Sequence, residues 1–401
     1  MVIRRYYMEK LEKWRDKQVI KVVTGVRRCG KSTLLEQFRA ALKQSGVEES
    51  QITSISFEKV EFEHLLEYHA LHDYVTARLL PDKMNYIFLD EIQEVPDFQK
   101  AVDSLFAREN TDIYLTGSNA KMLSGELATL LSGRYTEISM LPLSFAEYCE
   151  LTGEDRRTAW NHYFSSGGFP YAAQIPDADI RRDYLNGIYH TVLVKDVMMR
   201  RKIQDMQLLE SVIRFLFDNI GNMVSSKKIA DSLTSYGRKT SSVTVENYVA
   251  ALQEAFILYK AERYDVQGKQ NLRSLEKYYV VDVGLRRLLL GDRQKDIGHI
   301  LENIVYLELL RRGYDVRIGK VGDLEIDFVA SRDGRMLYYQ VAASVLDPNT
   351  FAREIAPLKK VRDNYPKYII TMDELPMEED GIQVCNVTDF LLENCESRRI
   401  E

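Results

Sequence analysis

The chain has 401 residues, enough for two to four domains at roughly 150 residues each. Hydrophobic residues make up 45% and charged residues 28%, a composition that excludes a mainly disordered or fibrous chain. Fifty-four basic against 60 acidic residues leave a net charge of −6, which excludes a generally basic nucleic-acid coat but not a local basic surface.

Residues 1–145 alternate short apolar runs with helical patterns. The runs are Val19–Thr24, Ile52–Phe57, Tyr86–Asp90, Ile113–Gly117 and Thr136–Met140. Strands interleaved with helices predict an α/β fold with a mainly parallel sheet. Segment 32–42 puts Leu34, Leu35, Phe38 and Leu42 on one helical face. Residues 146–206 read as a helical lid broken at Gly167-Gly168-Phe169-Pro170. Residues 207–294 carry helices at Leu208–Asn219, around Ser226–Leu233 and at Ser242–Phe256. Short strands Ile257–Lys260 and Tyr278–Val281 follow, the pattern of a winged helix-turn-helix. Residues 295–401 resume an α/β pattern: a helix over Ile300–Arg312, then Tyr314–Ile318, Leu324–Ala330, Met336–Ala343 and Tyr368–Thr371.

The strongest chemical signal is Gly25-Val26-Arg27-Arg28-Cys29-Gly30-Lys31-Ser32, a GxxxxGK[ST] phosphate loop set between a strand and an amphipathic helix. Its glycines let backbone N–H groups curl around phosphate oxygens, and the helix N-terminus adds partial positive charge. Gly25 to Ser32, with Thr33, form the expected nucleotide-binding stretch. Lys31 is expected on the β- and γ-phosphates and Ser32 on Mg²⁺. Tyr86-Ile-Phe-Leu-Asp90-Glu91 is a buried strand delivering two carboxylates to the carboxyl end of the sheet. Asp90 suits the Mg²⁺ shell, and Glu91 suits a base or orienting group for the attacking water. After Tyr114–Gly117, Ser118 or Asn119 is placed to hydrogen-bond the γ-phosphate or that water. In Leu131-Ser132-Gly133-Arg134, the arginine either neutralises charge on the transferred phosphoryl group or is a solvated side chain. Asp90-Glu91 without an acceptor-substrate motif argues against a kinase, and the lack of an Asn-Lys-x-Asp motif argues against a GTPase.

These motifs resemble the AAA+ ATPases, most closely a prokaryotic family of AAA-type ATP-binding proteins. That family shares the Gly-Val-Arg-Arg-x-Gly-Lys-Ser loop, the acidic pair, the Gly-Ser-Asn and Ser-Gly-Arg segments, Gly167–Pro170 and Tyr279-Val-Val-Asp-Val-Gly-Leu. The resemblance implies ATP and Mg²⁺ as cofactors, and a strand inserted between the Gly25 strand and the Asp90 strand. It implies the roles above for Gly25, Lys31, Ser32, Asp90, Glu91 and Asn119, and makes Arg134 an arginine finger, in cis or on a neighbouring subunit.

In the winged-helix region, Lys227, Lys228, Arg238, Lys239 and Thr240 flank the helices, and Arg263, Lys269 and Arg273 fall on the expected wing. This pattern suits phosphate contacts, with Ser241, Ser242, Thr244 and Asn247 near base edges. Glu246 and Glu254, with no Arg or Lys on the presumed recognition helix, suit packing or a protein partner equally. The last domain resembles the restriction-endonuclease-like fold, with Glu302, Asp327 and Gln340 at the metal-ligand positions. Ala342 stands where that fold carries its lysine, so the domain is expected to be nuclease-like in fold and inactive.

The expected function is an ATP hydrolase whose nucleotide state is coupled to the winged helix and nuclease-like domain, with DNA, a protein or further copies of the chain as partners. The alternative is a nucleotide-gated DNA- or protein-binding module with negligible turnover. No apolar run reaches the ~18 residues that cross a bilayer, so no membrane partner is expected. Cys29, Cys149, Cys385 and Cys395 form no metal spacing, and a cytoplasmic location is expected.

Overall fold

The computed structural model describes residues 2–120, 131, 133–191, 197–201, 203–292 and 296–393. Ser132, Cys395 and the side chain of Arg273, all named above, lie outside this description. The chain forms two compact units. One is Met1–Pro142 with Glu254–Phe256, and the other is the remainder.

In the first unit, β1 (Ile20–Thr24), β2 (Ile52–Ser56), β3 (Asn85–Asp90), β4 (Thr111–Gly117) and β5 (Tyr135–Ser139) form a five-stranded sheet in the order β2-β3-β4-β1-β5. Every pairing is parallel, and β4 lies between β1 and β3. Helix α1 (Arg5–Trp14) precedes the sheet, and α2 (Lys31–Gln44), α3 (Tyr68–Thr76) and α4 (Phe98–Phe106) follow β1, β2 and β3. Strands β1 and β4 are buried along their whole length, as a parallel sheet covered on both faces requires. Lys21 within β1 is tolerated because its ammonium pairs with Asp112 of β4, whose carboxylate also accepts from the Tyr114 hydroxyl (2.8 Å) and the Asp16 amide (2.9 Å). Leu34, Leu35, Phe38 and Leu42 form the buried stripe of α2, as their spacing predicts.

The second unit begins with α5 (Phe145–Thr152) and α6 (Arg156–Ser166). After α6, Gly167 takes φ +76°, and a Cβ there would lie 2.1 Å from Asp282 Oδ1. Gly168 N donates to Asp282 Oδ2 (2.6 Å), and its carbonyl accepts from Leu143 N (2.8 Å). The Gly167–Pro170 breaker and the Asp282-Val-Gly segment are therefore two halves of one tight contact, 114 residues apart in sequence.

Helices α7 (Ala178–Ile188), α8 (Val197–Arg201), α9 (Met206–Asp218), α10 (Ser226–Ser235) and α11 (Ser242–Glu254) precede an antiparallel hairpin of β6 (Leu258–Asp265) and β7 (Gln270–Val280). Next come α12 (Val283–Leu290) and α13 (Ile297–Arg311). They lead into β8 (Asp315–Val321), β9 (Leu324–Arg332), β10 (Arg335–Val341), α14 (Pro348–Lys359), β11 (Lys367–Thr371), β12 (Met377–Glu379), β13 (Ile382–Asn386) and α15 (Val387–Leu391). Strands β8, β9 and β10 form an antiparallel meander, and β11 pairs parallel to β10 across α14. The hairpin expected as a wing joins this sheet: β6 pairs parallel with β8, giving the order β12-β13-β11-β10-β9-β8-β6-β7. A boundary at 294/295 thus cuts through one hydrogen-bonded sheet.

Candidate functional site

The site is built at the carboxyl ends of β1, β3 and β4. Gly25 follows β1 at φ +149°, and a Cβ there would sit 2.2 Å from the Met140 carbonyl oxygen, so only glycine fits. Gly30 takes φ +105° and caps α2, and Arg28 is also left-handed at φ +70°. The loop is held from outside by Arg4, a buried side chain whose guanidinium donates to the carbonyls of Cys29 (3.1 Å), Leu141 (2.9 Å) and Pro142 (3.3 Å). Val26 and Cys29 are buried in the loop wall, where burial pushes the Cys29 thiol up. Arg27 pairs with Glu58, Arg28 faces solvent, and Thr33 lies half-buried on the first turn of α2.

Lys31 is buried at the start of α2. Its ammonium contacts the carbonyls of Gly25 (3.2 Å) and Val26 (3.4 Å) and the Glu91 carboxylate (3.3 Å). Glu91 follows β3 in the left-handed region, at φ +54°. Burial raises its carboxyl, but the Lys31 charge and hydrogen bonds from Gln93 and Ser118 outweigh that and hold it below the usual carboxylate range. Its amide donates to Thr116 Oγ1 (2.8 Å), and that hydroxyl donates to Asp90 Oδ1 (2.6 Å). Asp90 also accepts from Ser32 Oγ (3.1 Å) and Ser56 Oγ (3.1 Å). The Ser32 hydroxyl and Asp90 carboxylate are hard oxygen donors side by side, the donor chemistry a Mg²⁺ ion takes.

The structure thus brings Gly25, Gly30, Lys31, Ser32, Asp90 and Glu91 together. Asn119 lies half-buried just past β4, whose last residue, Gly117, is in register with Thr24 beside the loop. Arg134 is not brought to the loop. Its carbonyl accepts from Ile20 N (2.8 Å) at the start of β1, and its exposed guanidinium pairs with Asp103 on α4. The phosphate loop begins at the other end of β1, roughly 13 Å away at ~3.3 Å per residue. The cis reading of Arg134 therefore has no geometric basis in this fold.

Sequence reasoning missed Arg4, Ser56 and Thr116. Arg4 reaches across 25 and 137 residues of chain, with nothing local to mark it. Thr116 was detectable, because it alternates with Leu115 on a strand beside β3.

In the second unit, Glu302 on α13 and Glu325 and Asp327 on β9 converge on one cation. Lys277 of β7 points into them: its ammonium lies 3.0 Å from Glu302 Oε1, 2.8 Å from Glu325 Oε1 and 3.8 Å from Asp327 Oδ1. Gln340 is committed elsewhere, accepting from Asp327 N (3.0 Å) and donating to Glu354 Oε2 (3.0 Å), and Ala342 is buried. On α10 and the turn after it, Lys227, Lys228, Arg238 and Lys239 face solvent, as does Tyr236, which is 82% exposed.

Residues 17–149 match the AAA domain family, and residues 157–296 match a domain of unknown function that spans the expected lid and winged-helix regions. An uncharacterised protein of Haemophilus influenzae is 40% identical over 400 residues, covering 98% of this chain and 99% of its own. One from Methanocaldococcus jannaschii is 27% identical over 391 residues, covering 92% of this chain and 85% of its own. A Walker-type ATPase of Pyrococcus abyssi is similar at 16% identity and a TM-score of 0.47, over 72% of this chain and 96% of that one. Among the described residues, no helix is long and apolar enough to cross a membrane.

Proposed function

The chain belongs to one family with its Haemophilus influenzae relative and carries an AAA domain over residues 17–149, and we propose from that premise that it is a Mg²⁺-dependent ATPase hydrolysing ATP to ADP and phosphate. The observation that carries this reading is the 3.3 Å approach of Lys31, at the start of α2, to Glu91, at the end of β3. A phosphate-binding cation and a carboxylate suited to orienting water are thereby set in one glycine-built crevice.

In this reading the loop amides from Gly25 to Thr33 cradle the phosphates, and Lys31 turns from Glu91 to the β- and γ-phosphates. Ser32 and Asp90 would hold Mg²⁺, which would supply charge neutralisation on the phosphate oxygens. Glu91, freed from Lys31 and ionised, orients the attacking water and accepts its proton. Asn119 hydrogen-bonds the γ-phosphate or that water. Arg134 reaches the γ-phosphate of a neighbouring copy, which makes a homo-oligomer the working state. Phosphate release from ATP should require both Mg²⁺ and Lys31. A Lys31→Ala chain that hydrolyses ATP as fast as wild type would overturn the assignment.

In the same reading, nucleotide state is coupled to the second unit. The αβββαβ order of α13, β8–β10, α14 and β11 supports a restriction-endonuclease-like fold, and α9–α11 followed by a hairpin supports a winged helix built against it. The exposed Lys227, Lys228, Arg238, Lys239 and Tyr236 favour DNA over a protein partner, since cations beside an exposed ring suit phosphates and bases. DNA binding that weakens steeply with salt is the expected result. No binding at low salt would favour a protein partner.

A second reading, a nucleotide-gated module with negligible turnover, is favoured by one observation: Glu91 is engaged by Lys31, Gln93 and Ser118 at once. Single-turnover hydrolysis separates the two readings.

A further inference from the structure

The acids of the nuclease-like sheet already have a cation, and it comes from outside the segment that carries them. Lys277 is 4% exposed, and three carboxylates lie within 4 Å of its ammonium. The Tyr279 hydroxyl, two residues along β7, donates to Glu302 Oε1 at 2.6 Å. Asp327 spends its second oxygen on Val341 N (2.8 Å), and Gln340 is spent on Asp327 N and Glu354. Glu302 Oε1, Glu325 Oε1 and Asp327 Oδ2, oxygens that a divalent ion would need, are thus engaged by donors of the chain itself. Among the described residues, no group of three or more His, Cys, Asp or Glu side chains is arranged to hold a metal ion.

We propose that Lys277 is the resident counter-ion of the Glu302–Glu325–Asp327 cluster, excluding a divalent cation from it and fastening the β6–β7 hairpin to α13 and β9. A buried ammonium is costly unless paired, and so is a buried carboxylate such as Glu302 with further acids beside it. Here each solves the other's problem at one point. The same contact ties the hairpin to the sheet: Lys277 is on β7, separated from β9 by the two strands β6 and β8, and reaches the acids over the face that α13 covers. The cluster is then a joint between structural elements and carries no metal-dependent catalysis. This goes beyond the ATPase reading and does not rest on it.

The test is the response of the full chain to MnCl₂ without nucleotide, in an Asp90→Asn background that silences the phosphate-loop site. Thermal melting is followed alongside Mn²⁺ binding by electron paramagnetic resonance. With Lys277 present, no Mn²⁺ binding dependent on Asp327 is expected, so adding Asp327→Asn leaves the titration unchanged. Lys277→Ala should melt lower and be raised again by millimolar Mn²⁺, with binding lost when Asp327→Asn is added. Asp327-dependent Mn²⁺ binding with Lys277 in place would overturn the proposal, as would a folded Lys277→Ala chain indifferent to Mn²⁺. If Lys277→Ala does not fold, the comparison made with Lys277 present still decides between them.

Discussion

Lys31 and Glu91 form a 3.3 Å ion pair between the first residue of α2 and the residue following β3, with both side chains buried. Burial alone would push the Glu91 carboxyl up, and the ammonium with its hydrogen-bond donors brings it below its ordinary 4.5. An acid depressed in the folded state stabilises the fold above its unfolded value, and that contribution is lost as the pH falls through the folded value. The melting-temperature difference between wild type and Glu91→Gln should therefore shift against wild type as the pH drops below 4.5. A difference that stays constant down to acid unfolding would contradict the pairing.

Arg4 stitches the phosphate loop to the end of the first unit through three carbonyls. Hydrogen bonds involving a charged group are worth about 1.5–3 kcal/mol, and losing this one leaves buried carbonyls unsatisfied. Arg4→Met should lower stability by about 2–3 kcal/mol in urea unfolding and weaken ATP binding, although Arg4 lies behind the loop. Unchanged stability would show that the contact contributes nothing.

Asp282 is buried between Gly168 and Leu285, and burial pushes its carboxyl from 3.8 to about 6 against the pull of the backbone amides it accepts from. A raised folded value means that the fold binds the proton more tightly than the unfolded chain does. The stabilisation is full below 3.8 and is lost as the pH rises through about 6. The rise corresponds to roughly 3 kcal/mol. Relative to Asp282→Asn, which does not titrate, wild type should lose stability between pH 4 and 7, measured by chemical unfolding at each pH. Parallel pH profiles would contradict the burial.

Arg134 sits at the opposite end of β1 from the phosphate loop, so the contact proposed for it is with the γ-phosphate of a neighbouring copy. Arg134→Ala should bind ATP normally and lose on the order of 10³-fold in turnover. Mixed with Lys31→Ala, itself inactive, it should regain activity, because shared assemblies contain complete sites. A mixture no more active than its components would contradict action in trans.

The five strands of the first unit and the phosphate loop were legible because each is a local pattern. A run of Ile, Val and Leu buried on both faces fixes a parallel strand, and Gly25, Gly30, Lys31 and Ser32 are close together in sequence. The hairpin was less legible. Only Ile257–Lys260 and Tyr278–Val281 stand out as apolar, whereas β6 and β7 run over Leu258–Asp265 and Gln270–Val280 and include Arg263, Glu276 and Lys277. Lys277 reads as a solvated strand cation until its partners, 25 to 50 residues further along, are folded against it. Arg4 is hidden for the same reason. Arg134 misleads in the opposite way: its place before β5 is evident, but which end of the sheet that is depends on the parallel register with β1.

The most direct test of the ATPase reading is ATP binding and turnover measured side by side on wild type and Glu91→Gln. The expected result is binding within a few-fold of wild type and turnover reduced by about 10²–10⁴-fold, the loss typical of removing a positioned general base. Wild-type turnover in Glu91→Gln, or binding lost together with turnover, would contradict the role given to this carboxylate.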